Sequence, residues 1–393
     1  MDEIKEIIRK HYLTFLDREP DSVGLEHYFD LIRDGKLKIQ DLEDIFKNSD
    51  EYKRKEKEQE IVDEIDDKTW KIIRNQDFID KELSEEPNEL EPEIVCVSCF
   101  NVESGFGGVY QIESEKLIPI YEGRGCFGMS FDNVNKILFV ATREEPQLLA
   151  FRIIKNKFEQ IHVKFTNYLF GLQAHGILCH NQKIHVIATD GLKDDKEAIN
   201  KDVPWKGIGK IITSKVSITE KHIEISDSEV ANPFECEHHH HINDLCLHKD
   251  RLYLSSHSYC DREKSYVKKG IITKLDEKLH SLDVIEGFEQ PHSPFSYKNR
   301  LFICSSAIAC VMSIDTEEKS IKLEYKGIDA YTRGIVNTEK FLYIGTSFSV
   351  GRTNATFNNP NIGVLKFNKR TGDAKYFKIP EKCTNVYSIV KIT

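Results

Sequence analysis

The chain has 393 residues, of which 39% are hydrophobic and 31% charged, a balance typical of folded globular domains. Acidic residues outnumber basic ones by 65 to 55, and the resulting net charge of −10 argues against nucleic acid as a partner. No apolar run of about 18 residues occurs, so we expect no membrane span. The charged N-terminus and the ten cysteines predict a cytoplasmic protein with reduced thiols.

Charge divides the chain into two parts. Residues 1–92 hold 28 acidic and 16 basic residues, whereas the remainder is close to neutral and holds all ten cysteines. Such a shift in composition indicates a domain boundary. We predict a helical interaction domain at 1–60, a charged helical connector at 61–92 and a second domain at 93–393.

The first part has the periodicity of helices. Apolar residues recur every three or four positions over 4–16, 25–32 and 39–46, which is the spacing of one helix face. Pro20 and Gly35 follow the first two of these segments and are expected to end the helices. The pattern predicts a small all-α domain.

This region resembles a small helical domain of unknown function that recurs in bacterial chains linked to surface layers and glycan assembly. The resemblance covers about residues 8–52, and it depends on Arg18-Glu19-Pro20-Asp21, Gly24-Leu25, Gly35 and Ser49-Asp50-Glu51-Tyr52. It implies an interaction module that recruits a protein partner and carries no chemistry of its own.

The second part repeats one pattern: a short strand, a tight polar turn and an apolar strand. Five copies begin near residues 129, 175, 243, 292 and 333, and helical periodicity is absent from this part. Repeats of roughly 40 to 70 residues that are built only from strands are typical of β-propeller blades.

A further unit is divided between the two ends of the second part. The C-terminal segment VYSIVKIT matches the first strand of the pattern, and EIVCVSCFN near residue 94 matches the missing second strand. Joining them removes the unpaired edges of an open ring. We therefore predict a mainly β fold, a six-bladed β-propeller closed by N- and C-terminal strands. Seven blades is the alternative, if the long insertion in the third unit contains another.

The first strands of the blades surround the channel of a propeller, so residues at one end of these strands form a ring at its mouth. Aligning the repeats gives the ring as Met129, His175, Asn243, His292, Arg333 and Tyr387. The ends of the second strands and the long loops of the same face add Arg143, Asp190, His257, Ser306 and Arg352. Long polar loops at one end of a rigid scaffold are where ligands usually bind.

A metal site is one interpretation of this mouth. His175, His241 and His292 come from three different repeats, and imidazole is a common ligand of transition metals such as Zn, Mn or Fe. The alternative is that these histidines hydrogen-bond locally.

Anion binding is a second interpretation. The planar guanidinium of Arg333 suits a carboxylate, sulfate or phosphate, and Arg143 and Arg352 would add positive charge. The alternative is a structural ion pair between Arg333 and Asp244 or Asp190.

Catalysis is a third interpretation. His175 or His292 would act as a general base or acid near neutral pH, Tyr387 would donate a proton, and Arg333 would neutralise developing charge. This set predicts an enzyme that acts on an anionic carbohydrate or a similar small anionic substrate, as a lyase or a hydrolase. The alternative is a non-catalytic binding or scaffold propeller in surface-glycan assembly.

Three short motifs resemble those of an uncharacterised bacterial propeller family over about residues 125–393. They are HIND at 241–244, PHSP at 291–294 and TRG at 332–334. The resemblance implies shared mouth residues, namely His241, Asn243, Asp244, His292, Ser293 and Arg333, and it supplies no activity. With the loop residues above, we predict a substrate-binding set of Arg143, Asp190, Asn243, Asp244, His257, Ser293 and Arg352.

Overall fold

The computed structural model describes residues 2–16, 20, 22–49, 52, 93–101, 103–113, 116–142, 148–166, 174–188, 209–234, 239–259, 270–326, 330–348 and 361–392. The chain divides into two compact units, Met1–Lys81 and Glu82–Thr393. The predicted connector at 61–92 lies outside the described residues, so its boundaries stay a prediction.

The first unit is helical, as its periodicity predicts. It contains α1 (Asp2–His11), α2 (Ser22–Arg33) and α3 (Leu42–Asn48), with a π-helical turn at Tyr12–Leu16 and a 3₁₀ turn at Ile39–Asp41. The buried core of this unit consists of Ile8, Tyr12, Phe29, Leu42 and Phe46. Among the described residues, none of the helices is long and apolar enough to cross a membrane.

The second unit is built of strands, which confirms the prediction of a mainly β fold. The first twelve are β1 (Ile94–Phe100), β2 (Phe106–Glu113), β3 (Lys116–Arg124), β4 (Cys126–Asp132), β5 (Ile137–Thr142), β6 (Leu148–Ile154), β7 (Lys157–Thr166), β8 (Ala174–His180), β9 (Lys183–Ala188), β10 (Lys210–Ile218), β11 (His222–Ala231) and β12 (His239–His248). The next twelve are β13 (Arg251–Tyr259), β14 (Gly270–Leu275), β15 (Ser281–Phe288), β16 (Pro291–Tyr297), β17 (Arg300–Ser305), β18 (Cys310–Asp315), β19 (Ser320–Tyr325), β20 (Tyr331–Asn337), β21 (Phe341–Ser347), β22 (Gly363–Asn368), β23 (Ala374–Lys378) and β24 (Asn385–Ile392).

These strands form four four-stranded sheets and one eight-stranded sheet. The eight-stranded sheet has the order β4-β5-β6-β7-β11-β10-β9-β8, so it consists of two antiparallel meanders. Their outer strands β7 and β11 pair in parallel, from His162 opposite His222 to Thr166 opposite Ser226. The innermost strands β4, β8, β12, β16, β20 and β24 each contact the next one around, and β24 contacts β4. The arrangement is a propeller-like ring.

The ring closes through the two ends of this unit. The closing sheet has the order β24-β1-β2-β3, and β24 runs antiparallel to β1 from Ile392 opposite Ile94 to Asn385 opposite Phe100. One C-terminal and three N-terminal strands therefore make this sheet, as predicted from the sequence.

Apolar second strands fill the spaces between neighbouring sheets. All six residues of β5 are buried, because sheets cover both of its faces, and such strands are apolar along their length instead of alternating. This packing is why β5 is apolar along its whole length.

Each innermost strand carries an irregularity near the same end of the ring. The register of its pairing with the second strand shifts at an equivalent position in every sheet. The residues at this bulge are Phe127, His175, Asn243, Ser293, Arg333 and Tyr387.

The prediction that Met129 belongs to the mouth ring was wrong. Met129 packs with Cys96 and Leu138 in the core between sheets, and Phe127 occupies the equivalent position. The turn between β4 and β5 has four residues, 133–136, whereas the turns after β8, β12 and β16 have two. Aligning the repeats on their apolar second strands therefore places the ring residue of β4 two positions too late.

Candidate active site

The bulge residues and their neighbours bring a set of polar and aromatic side chains together at one mouth of the ring. We call this set the mouth cluster, and it consists of Phe127, His175, His241, Asn243, His257, His292, Arg333 and Tyr387. Most members are buried; His292 is 3% exposed and Asn243 is fully covered. The structure thus brings the four predicted catalytic residues into one region.

Arg333 is held by two neighbours from other sheets. Its guanidinium carbon lies 3.5 Å from the centre of the Tyr387 ring, which is a close cation–π contact. Its Nη2 lies 3.4 Å from Nδ1 of His175. Because a guanidinium only donates, Nδ1 of His175 accepts, and we assign the proton of the neutral ring to Nε2.

The histidines form an arc around the mouth. Ring centres are 5.2 Å apart for His175 and His241, 4.6 Å for His241 and His257, and 6.4 Å for His257 and His292. At the other side, Phe127 lies parallel to His175 at 6.1 Å. The arc is therefore continuous from Phe127 to His292.

His292 has its tautomer set by its surroundings. Its Nδ1 lies 2.8 Å from the carbonyl oxygen of Gln290 and 2.9 Å from Oγ of Ser306, and the Ser306 hydroxyl donates to the Thr332 carbonyl. Both neighbours therefore accept from Nδ1, which leaves the lone pair on Nε2. Burial is the main cause that lowers the pKa of His292 well below its usual value, and the positive charge of Arg333 is the second. The ring is therefore neutral at pH 7.

Asn243 is oriented by two donated hydrogen bonds. Its Nδ2 donates to the Pro291 carbonyl oxygen at 2.9 Å and to Nδ1 of His257 at 3.3 Å. Within the described part of the chain, its Oδ1 has no hydrogen-bond partner although it is buried, and the same is true of Nε of Arg333. A buried acceptor and a buried donor without partners cost free energy unless a water or a ligand satisfies them.

Asp244 and Ser293, both predicted to bind substrate, connect innermost strands to one another. Oδ2 of Asp244 accepts the Ser293 N–H at 2.9 Å, and Oγ of Ser293 accepts the Gly334 N–H at 2.9 Å. Burial raises the pKa of Asp244, while Arg333 and the Ser293 N–H oppose that shift. These contacts tie β12, β16 and β20 together, and a role in substrate binding stays a prediction.

The predicted metal ligands lie in the arc, but they are spread along it. His257 lies between His241 and His292. Over the residues that the structure describes, no three His, Cys, Asp or Glu side chains come close enough together to hold a metal ion. The metal hypothesis stays a prediction and enters no step below.

Three predicted substrate-binding residues, Arg143, Asp190 and Arg352, lie outside the described residues.

Sequence reasoning missed two residues beside His292, namely Gln290 and Tyr331. The Tyr331 hydroxyl donates to Oε1 of Gln290 at 2.9 Å and lies 3.4 Å from Nδ1 of His292. Gln290 immediately precedes the PHSP motif and Tyr331 immediately precedes the TRG motif. Those positions are the only signal of the two residues in the sequence.

A family model described as a domain of unknown function (DUF4915) matches residues 225–387. This region is less than half of the chain and contains most of the mouth cluster. A search of curated proteins finds no match.

Solved structures resemble the chain at low identity. A nidogen/laminin complex matches at 11% identity and a TM-score of 0.50, over 77% of this chain and 99% of that one. A periplasmic gluconolactonase of Pseudomonas aeruginosa matches at 9% identity and a TM-score of 0.46, with the same coverage. The Cps50 (Swd1) β-propeller domain of Myceliophteria thermophila matches at 9% identity and a TM-score of 0.42, over 72% of this chain and 86% of that one. The likeness to the first of these concerns the fold alone.

Proposed function

We propose that this protein is an enzyme that acts on a small anionic, carbohydrate-like substrate at the mouth cluster. We also propose that its ring has six blades, because the eight-stranded sheet consists of two antiparallel meanders. The observation that carries the enzymatic proposal is Arg333, whose guanidinium is fixed over Tyr387 while its Nε lacks a described partner.

Arg333 is the anchor for the anionic group. A guanidinium that is held by a ring face and by His175 loses little conformational freedom when it binds a carboxylate. Nε donates to one carboxylate oxygen, and the unpartnered Oδ1 of Asn243 accepts from a sugar hydroxyl. A uronate supplies both groups on one ring.

His292 is the general base of the proposed reaction. Its neutral ring presents a lone pair on Nε2, because Gln290 and Ser306 occupy the Nδ1 side. In β-elimination, Nε2 takes the proton from the carbon next to the carboxylate. The electron pair of that C–H bond forms a carbon–carbon double bond, and the bond from the neighbouring carbon to the leaving oxygen breaks.

Tyr387 is the proton donor for the leaving oxygen. The phenolate that this transfer leaves is stabilised by Arg333, whose guanidinium carbon lies 3.5 Å from the centre of the same ring, and the proton returns from His292 through solvent. A hydrolase would use the same base on a water molecule. His175 then has a positioning role, since its Nδ1 accepts from Arg333.

The test is a screen of oligosaccharides that contain uronates. Elimination is detected by the absorbance of the new double bond, and hydrolysis by new reducing ends. We expect His292→Gln to lower turnover by about 10²–10⁴-fold without weakening substrate binding. We expect Arg333→Lys to weaken binding by roughly tenfold.

His248→Gln is the matched control. His248 is also buried, at 1% exposure, but it bonds to Ser296 at the far end of β12, so its replacement should leave turnover unchanged. Binding of uronates without turnover in the wild-type protein would favour the alternative, a non-catalytic binding propeller. Undiminished turnover in both mouth variants would refute the proposed site.

A further inference from the structure

A pair of thiols lies at the place where the ring closes. Cys99 is in β1, Cys383 precedes β24 by two residues, and their sulfur atoms are 3.2 Å apart. The two residues are 284 positions apart in the chain, yet they meet because β1 pairs with β24, the strand that follows Cys383. A disulfide needs the sulfurs about 1 Å closer, which side-chain rotation and a small loop shift supply.

We propose that Cys99 and Cys383 form a reversible disulfide that covalently locks the closure of the ring. Its oxidant is a peroxide. The inference is independent of the proposed enzymatic activity, because neither thiol belongs to the mouth cluster.

The two thiols differ in reactivity. The S–H of Cys99 donates to the sulfur of Cys383, and this bond, with smaller contributions from Tyr110 and Lys382, lowers the pKa of Cys383 although burial opposes it. The same hydrogen bond and burial raise the pKa of Cys99. The thiolate is the form that peroxides oxidise, so Cys383 reacts first.

The accessibility of the two thiols to an oxidant also predicts that Cys383 reacts before Cys99. Cys383 is 5% exposed and follows Glu381 and Lys382, which are both exposed, whereas Cys99 is fully covered within its strand. An oxidant therefore reaches the seam of the ring from the side of Cys383.

The chemistry balances in two steps. The Cys383 thiolate attacks one oxygen of hydrogen peroxide, the O–O bond breaks, and with one proton the products are a sulfenic acid and water. The Cys99 sulfur then attacks the Cys383 sulfur, forming the S–S bond and releasing the hydroxyl as a second water. Two thiols lose two electrons, and peroxide gains them.

The other described cysteines do not offer this combination. Burial raises the pKa of Cys246 and Cys310 to about 12. Cys179 is more exposed than Cys383, but burial of its sulfur also raises its pKa to about 12. Cys179 is therefore a matched control, since it separates accessibility from thiolate character.

The test uses the full chain with Cys236 and Cys260 replaced by serine in every sample, because these two thiols lie outside the described residues. The protein is treated with equimolar hydrogen peroxide and digested without reductant. We expect one cross-linked peptide that contains residues 99 and 383. We also expect unfolding in guanidinium to slow by about tenfold or more, reversibly with dithiothreitol.

Two variants test the order of events. In Cys99→Ser the sulfenic acid on Cys383 has no resolving thiol, so dimedone should label Cys383. In Cys383→Ser neither the label nor the cross-link should form. The proposal would be overturned by oxidation of Cys179 before Cys383, by an absent cross-link in the folded protein that keeps both Cys99 and Cys383, or by an unchanged unfolding rate of the linked protein.

Discussion

The two sides of the mouth gather different kinds of side chain. On one side, Phe100, Phe127 and Tyr387 pack ring against ring, with centres 4.7 to 5.6 Å apart. On the other side, His241, His257 and His292 form an arc, in which nitrogens of His257 and His292 bond to amide, carbonyl and hydroxyl groups. We call these the aromatic side and the imidazole side.

The bulges of β4 and β8 share one constraint on their backbone. A Cβ added to Gly128 would lie 2.5 Å from the His175 carbonyl oxygen, and one added to Gly176 would lie 2.8 Å from that of Asn243. At these two bulges the second residue is therefore restricted to glycine by contact with the next strand, whereas the first is Phe127 in one and His175 in the other. In these two strands the position that packs against the next strand is therefore distinct from the position that presents a side chain to the mouth.

The largest expected effect is on stability at the aromatic side. Phe127→Ala removes a ring that is 6% exposed, so we expect the free energy of unfolding to fall by about 3–5 kcal/mol. His257→Ala on the imidazole side should cost only about 1–2 kcal/mol, because it removes the partner of the Asn243 amide and no large apolar ring. Urea unfolding of both variants measures this, and equal losses would remove the distinction between the two sides.

The imidazole side should make the ring sensitive to acid. The folded-state pKa of His292 lies below that of the unfolded chain, so the unfolded state binds more protons once the pH falls below about 6.5. Stability is therefore complete above that pH and declines below it, by up to about 1.4 kcal/mol per pH unit for each such histidine.

Unfolding free energies of wild type and His292→Gln between pH 7.5 and 5 measure this slope, which the variant should reduce. His185→Gln is the control outside the mouth, since burial lowers the pKa of His185 to about 4 and its loss should reduce the slope in the same way. A slope that is unchanged in His292→Gln would show that His292 is protonated in the folded state.

The ring and most of the site residues could be predicted because they depend on local patterns. Repeated pairs of a polar and an apolar strand, and the unmatched final strand VYSIVKIT, predict a closed ring without any long-range information. Once the ring is assumed, His175, His292 and Arg333 must approach one another, because they occupy similar places in their repeats.

Other features depend on contacts that no local pattern encodes. The parallel pairing of β7 with β11 joins surface strands of two repeats, and Cys99 meets Cys383 only after the ring has closed. The tautomer of His292 depends on the Gln290 carbonyl and the Ser306 hydroxyl. The misassigned Met129 shows that two extra residues in the turn between β4 and β5 are enough to move a prediction from the mouth to the core.

A smaller effect should separate the two roles of Tyr387. Tyr387→Phe keeps a ring face beneath Arg333 and should change the affinity for galacturonate less than twofold, although it removes the proposed proton donor and therefore turnover. Tyr387→Leu removes the cation–π contact at 3.5 Å, so we expect affinity to fall roughly tenfold. Calorimetric titration of both variants measures this, and equal affinities would mean that the ring does not position Arg333.

The smallest effect is expected at the opposite end of the ring, where tight turns replace the mouth. Asn181 and Gln182 connect β8 to β9 with φ of 50° and 57°, a left-handed pair that favours glycine at its second position. Gln182→Gly relieves about 1–2 kcal/mol of backbone strain but adds about 0.5–1 kcal/mol of chain entropy to the unfolded state. We therefore expect a gain of roughly 0.5 kcal/mol in urea unfolding, with galacturonate affinity unchanged, since a turn this far along β8 from His175 serves only the scaffold.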